Sequence, residues 1–141
     1  MLNSTPHEQA QLVTATSCLV CTGGGKPKQV LAAIDCDRET KGFTFGEKPL
    51  RADIWFSTEI DYIDCTVEDT GYGAPVSLSG LGFGLDDIRA FLDPALGKHT
   101  LRFGLPGPAS GKLTLSTKGG TGSMALYDIS GFVRKETNHD L

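Results

Sequence analysis

The 141-residue sequence has no long apolar run, and its longest stretch falls far short of the roughly 20 residues a membrane-crossing helix needs. The start, Met1-Leu2-Asn3-Ser4-Thr5-Pro6-His7-Glu8, has neither a basic segment nor an apolar one of the kind that marks export. A soluble protein made without an export signal is expected. Positive charge is also in short supply, with 13 Lys and Arg against 17 Asp and Glu and a net charge of −4. No run interleaves basic and aromatic residues, so neither nucleic acid nor an anionic membrane surface is an expected partner. Histidine is scarce too: of three residues, His7 and His139 lie near the ends, which leaves His99 as the one candidate base for nucleophilic catalysis.

Several cofactor and catalytic motifs are missing. Gly25-Lys26 is followed by Pro27, and Val20 stands where a phosphate loop needs its first glycine. Gly80-Leu81-Gly82-Phe83-Gly84 has its third glycine one residue early for a dinucleotide loop, and the segment after it opens with Asp86 and Asp87, which repel a pyrophosphate. There is no Gly-x-Ser-x-Gly elbow. Asp35-Cys36-Asp37-Arg38-Glu39 starts like a calcium loop, but Thr40 sits where an EF-hand requires glycine. No cofactor and no catalytic constellation are therefore expected, and no motif resembles a particular family.

Four cysteines, Cys18, Cys21, Cys36 and Cys65, occupy the first half. Cys18-Leu19-Val20-Cys21 has the spacing of one zinc knuckle, but a second knuckle is absent. Thiols packed as small apolar groups are the expectation, with a structural zinc or a Cys36–Cys65 disulfide as alternatives. A redox role is disfavoured because Gly23-Gly24-Gly25-Lys26-Pro27 cannot begin a regular helix behind the second cysteine.

What the sequence does have is a period of two, the signature of strands with one face in a core and one in water. Leu50, Ala52, Ile54 and Phe56 fall on one side of a strand, with Arg51, Asp53, Trp55 and Ser57 on the other. From Asp61 to Asp69, Ile63, Cys65 and Val67 share the inner face, while Tyr62, Asp64, Thr66 and Glu68 share the outer one. Leu101, Phe103 and Leu105, and then Leu113 and Leu115, repeat the pattern. Gln11–Val20 and Gln29–Ile34 also read as strands, with Val30–Ile34 alternatively a helical turn. Thr70–Pro75 and Leu105-Pro106-Gly107-Pro108 read as breaks, and Lys118-Gly119-Gly120-Thr121-Gly122 as a hairpin loop. One short helix is predicted over Asp86–Leu92, from its leading acids, the spacing of Ile88, Phe91 and Leu92, and the stop at Pro94.

The expected architecture is all-β: a single antiparallel sandwich or jelly-roll-like barrel of about eight strands over residues 1–141, with polar tails at about 1–8 and 135–141. Asp53, Glu59, Asp61, Asp64, Glu68 and Asp69 crowd the middle of the chain. They read first as a solvated acidic face, with calcium binding or a carboxylate pair as alternatives. Trp55, Tyr62 and Tyr72 are the candidate contact residues for a protein interface or a stacked glycan. The leading expectation is a non-enzymatic subunit of a symmetric assembly, such as a viral capsid decoration or cement protein or a tail component. Its partners would be copies of itself and a shell or tail protein, and its place the virion, with the cytoplasm as the alternative. A carbohydrate-binding module is the second expectation. A small hydrolase or lyase using Asp61, Asp64 and His99 is the third.

Overall fold

The structure, a computed structural model, describes residues 8–81, 88–90 and 94–136. Strands dominate: β1 (Glu8–Val13), β2 (Ser17–Thr22), β3 (Lys28–Gln29), β4 (Phe43–Phe45), β5 (Leu50–Asp69), β6 (Val76–Gly80), β7 (Ile88–Ala90), β8 (Lys98–Thr117) and β9 (Met124–Glu136). All pairings among the described strands are antiparallel and join them into one open sheet, ordered β1-β9-β5-β8-β6-β7, with β2 also on β5, β3 on β2 and β4 on β9.

The two period-two segments at 50–56 and 61–69 are halves of one 20-residue strand, β5. Its alternation holds in both halves: Leu50, Ala52, Ile54 and Phe56, then Ile60, Ile63, Cys65 and Val67, all enter one core. Between them the register slips, and Ser57, Thr58 and Glu59 are exposed. Such bulges bend a strand, which lets one long strand supply both ends of the core. The bend also divides its far edge, where β2 pairs with Leu50–Trp55 and β9 with Tyr62–Asp69.

Five sequence expectations need correction. Gln11–Val20 is not one strand but parts of β1 and β2, divided at Thr14-Ala15-Thr16. Pro106 and Pro108 do not end a strand; β8 runs through them. Its pairing to β5 jumps from Tyr62↔Gly104 to Ile60↔Ala109, so both prolines sit in a bulged stretch where no ladder N–H is required. The glycine loop at 118–122 does not close a hairpin, because β8 and β9 lie on opposite edges of β5. It runs from the start of β5, where Thr117 pairs with Leu50, to its end, where Met124 pairs with Asp69, and packs on the turn after β5: Thr121 N donates to Tyr72 O at 3.1 Å. A Cβ on Gly120 would come within 2.4 Å of Tyr72 O, which explains why a side chain is excluded there.

No α-helix occurs among the described residues, which include two short 3-10 turns at Leu31–Ile34 and Pro94–Leu96. Within the predicted helix Asp86–Leu92, Ile88–Ala90 pairs with Val76–Leu78 as a strand, and positions 86–87 and 91–92 lie outside the described residues. A two-turn helical pattern is weak by itself, and the edge of β6 offers this backbone a ladder instead. Gln29–Ile34 is no strand either: after the two residues of β3, the alternative helical turn forms and buries Ala33 and Ile34.

Candidate functional site

Strand parity places Tyr62, Asp64, Thr66 and Glu68 on the face of β5 away from the core, as the period predicts. Neighbouring strands complete this face by register. Phe132, Ser130 and Asp128 of β9 lie opposite Tyr62, Asp64 and Thr66, while Arg102 and Thr100 of β8 lie opposite Asp64 and Thr66. Much of it is nevertheless closed to water, with Asp64 2% exposed and Asp128 1%. Part of the cover comes from the loop after the first 3-10 turn. Arg38 reaches Asp64 from that loop, and the Cys36 amide reaches Asp128 across 92 positions of sequence.

The Asp64 carboxylate accepts two bonds from Arg102, at 2.8 Å from Nε and 3.0 Å from Nη2, and a longer one of 3.3 Å from Arg38 Nη2. Two guanidinium groups thus offset the desolvation of one buried acid. Asp128 accepts from Cys36 N at 3.0 Å and from the Ser130 hydroxyl. Burial raises the Asp128 carboxyl above its ordinary range, and the bonds from Ser130 and Cys36 oppose that rise. Cys36 holds φ at +63°, a left-handed backbone that costs a non-glycine residue about 1 kcal/mol or more, and in this shape its amide meets Asp128. Further out, Lys98 pairs with Glu39 at 3.0 Å and lies 4.2 Å from the centre of the Tyr127 ring. The Tyr127 hydroxyl donates to Glu68 at 2.9 Å, which pushes its own pKa up.

The acid–base residues expected from the sequence do not converge. His99 pairs in register with Val67, on the core-facing row of β8, whereas Asp64 is on the opposite face. Its Nδ1 lies 2.8 Å from Gly97 O, a bond within its own strand entry. Asp61 accepts from the Arg134 amide at 2.7 Å, Asp53 from Thr114 at 2.8 Å, and Asp69 from the amides of Gly71 and Tyr72. Of the acids that crowd the sequence, Asp53, Asp61, Asp64, Glu68 and Asp69 are dispersed over the sheet and each holds local structure, while Glu59 is exposed in the bulge. Among the described residues no three His, Cys, Asp or Glu side chains are grouped to hold a metal ion.

The cysteines follow the same parity. Cys18 and Cys21 are three apart in β2, so they point to opposite faces, and the zinc knuckle would need both on one turn. Cys18 lies in the core, while Cys21 donates to Gly25 O at 2.7 Å. Cys65 is also in the core, whereas Cys36 lies beside Thr14 at the covered face, and all four thiols are free. Burial, reinforced by Asp53, pushes the Cys18 thiol up to about 11; burial, reinforced by Asp64 and Asp128, pushes Cys65 up to about 12.

Of the three candidate contact residues, only Trp55 offers a partly open surface. It stands on the outer row of β5 in register with Ser17 and Lys112 and is half-buried. Tyr62 is 3% exposed: Phe132 stacks on it at 5.0 Å, and the guanidinium groups of Arg102 and Arg134 lie 4.3 and 4.9 Å from its centre. Tyr72 is 1% exposed, set edge-on to Phe45 in the core with its hydroxyl bonded to Thr117. Neither tyrosine presents a ring to a ligand. Sequence reasoning missed Leu12 instead, which is 47% exposed on the edge strand β1 and in register with Phe132. Period two hides this residue, because an apolar side chain on the outer row looks like an interruption of the pattern.

No known family model matches the chain, and no curated protein matches it. Among the described residues no helix is long and apolar enough to cross a membrane.

Proposed function

We propose that this chain is a non-enzymatic subunit of a symmetric assembly, of the kind that decorates a viral capsid or forms part of a tail. Its bent sheet would serve as a jelly-roll-like or sandwich body. The observation that carries the reading is the edge strand β1, six residues joined to the sheet on the β9 side alone among the described strands, with Leu12 half open to water. Monomeric proteins blunt such edges with proline, lysine or a bulge, and a bare edge is a template for another chain. The polar cluster supports the same reading from the other side. Its buried acids are bonded to guanidinium groups, a backbone amide and a hydroxyl, which makes it a brace between loop and sheet. Many small contacts repeated by symmetry would supply avidity.

Light scattering on the full chain over a concentration series tests this: discrete masses above that of one chain are expected. A monomer at every concentration refutes it.

The glycan-binding reading rests on Trp55, whose ring shares its face with Asp53, Arg51 and Thr114, the last two both donating to Asp53. An aromatic face beside fixed hydrogen-bonding groups is the layout a sugar ring meets. Binding on a glycan array that disappears with Trp55→Ala would favour it; binding that survives would remove the platform.

A further inference from the structure

We infer that β1 is the contact between two copies of this chain, pairing antiparallel with its own counterpart about a two-fold axis at Gln11. This rests on the assembly reading above and names its interface. The sequence of β1, Glu8-Gln9-Ala10-Gln11-Leu12-Val13, contains neither proline nor lysine, and its six register partners on β9 run without a bulge from Glu8↔Glu136 to Val13↔Gly131. Proline, lysine and a bulge, three devices that keep an edge from pairing, are therefore absent from its described residues.

The geometry selects both partner and register. Val13 packs against the core, and Leu12 falls on the outer row with Phe132 and Tyr62, so odd positions of β1 face inward and even ones outward. A two-fold axis normal to the sheet keeps each face continuous only if paired positions sum to an even number. Any residue-centred axis meets that condition; an axis at Ala10 would set Glu8 against Leu12 and one at Leu12 would pair only residues 11–13, whereas centring on Gln11 pairs residues 9–13, with Gln11 facing Gln11 and Leu12 facing Ala10 of the second copy. Both Gln11 and Ala10 are exposed in the single chain, and no described strand other than β9 pairs with β1. Leu12 would then lie between Phe132 of its own sheet and Ala10 of the other, which removes the most exposed apolar side chain of this edge from water. Charge allows the arrangement as well. Glu8 is the one charged residue of β1 and falls opposite position 14, so no like charges meet. A different protein offering a strand would need its own matched alternation; a second copy brings it by symmetry.

A charge swap at the axis tests the proposal on the full-length chain. Gln11→Lys and Gln11→Glu each place two like charges directly across the two-fold. Each should weaken self-association about fivefold at low salt, with the far-ultraviolet spectrum unchanged because Gln11 is exposed. Mixing the two variants opposes lysine to glutamate and should restore association to the wild-type level or above. Association that ignores both substitutions overturns the β1 contact while leaving the assembly reading standing on another surface. Failure of the mixture to recover overturns the Gln11 register. A wild-type chain that is monomeric throughout overturns both.

Discussion

If the Asp64 cluster is a brace, replacing its acid must cost folding stability. Asp64→Asn keeps the size of the side chain and removes the charge that receives three bonds from Arg102 and Arg38. Breaking a fully buried ion pair costs about 3–5 kcal/mol, but Arg102 and Arg38 are 58% and 49% exposed and regain water when the carboxylate is gone. The loss should therefore come to about 2 kcal/mol, the range of charge-assisted hydrogen bonds. Arg102→Gln strands a buried carboxylate with one distant cation and should cost at least as much as Asp64→Asn, about 2–3 kcal/mol. Arg38→Gln removes a single 3.3 Å contact to a half-exposed side chain and should cost less than about 0.5 kcal/mol. Urea denaturation of the three variants and of Asp64→Asn/Arg102→Gln reads all of this, and the double-mutant cycle should show a coupling of about 1 kcal/mol. A carboxylate poised for substrate behaves in the opposite way, because active-site groups are held at some expense to stability and their removal is neutral or stabilising. Losses below about 0.5 kcal/mol for both Asp64→Asn and Arg102→Gln would refute the brace.

Asp128 has the opposite linkage to a salt-bridged acid. Burial raises its folded-state pKa above the unfolded one, so its contribution is fully present below the unfolded value of about 3.9 and is lost as pH rises through the folded value. Asp128→Asn should remove that loss, leaving a stability profile that climbs more steeply just above pH ~4 than the wild type's; unchanged slopes, followed by urea midpoints, would contradict it. The thiols offer a separate check on the core. With Cys18 near 11 and Cys65 near 12, both should resist a thiol reagent at pH ~8 until the chain unfolds, while the partly exposed Cys21 and Cys36 react in the native state. Mass spectrometry of labelled peptides reads the order, and early labelling of Cys65 would contradict the core assignment.

Period two made the inner rows of β5 and β8 legible because alternation is a local property: Ile54, Phe56, Ile63, Cys65, Leu113 and Leu115 reach the core their spacing implies. It could not tell whether the outer row meets water. Asp64 and Arg51 are both outer-row residues of β5 with a paired strand on either side, yet one is buried and the other exposed; what Asp64 has in addition is a loop from which Arg38 reaches it. That cover depends on a contact between Cys36 and Asp128, which no window along the chain contains. The glycine loop at 118–122 failed for a similar reason. Turn residues announce a reversal, but whether the next strand lies beside the last or across a third is decided by the sheet. Pro106 and Pro108 were misread because their rule applies to ladder positions, and the bulge takes them out of the ladder.

The candidate interface was hidden by a smaller feature. Gln11–Val20 reads as one strand, but Thr14-Ala15-Thr16 divides it, and the pieces go to different places: β1 to the outer edge of β9, β2 to β5. Thr16 N still donates to Trp55 O at 2.8 Å, so β2 is tied to β5 from its first residue and β1 is carried away to the margin. An undivided strand would have continued along β5, where β9 already pairs beyond Tyr62, and the edge that the other described strands leave unpaired would not exist. The break that a reading of propensities passes over is therefore what exposes Leu12, and with it the surface on which the proposed second copy would extend the sheet.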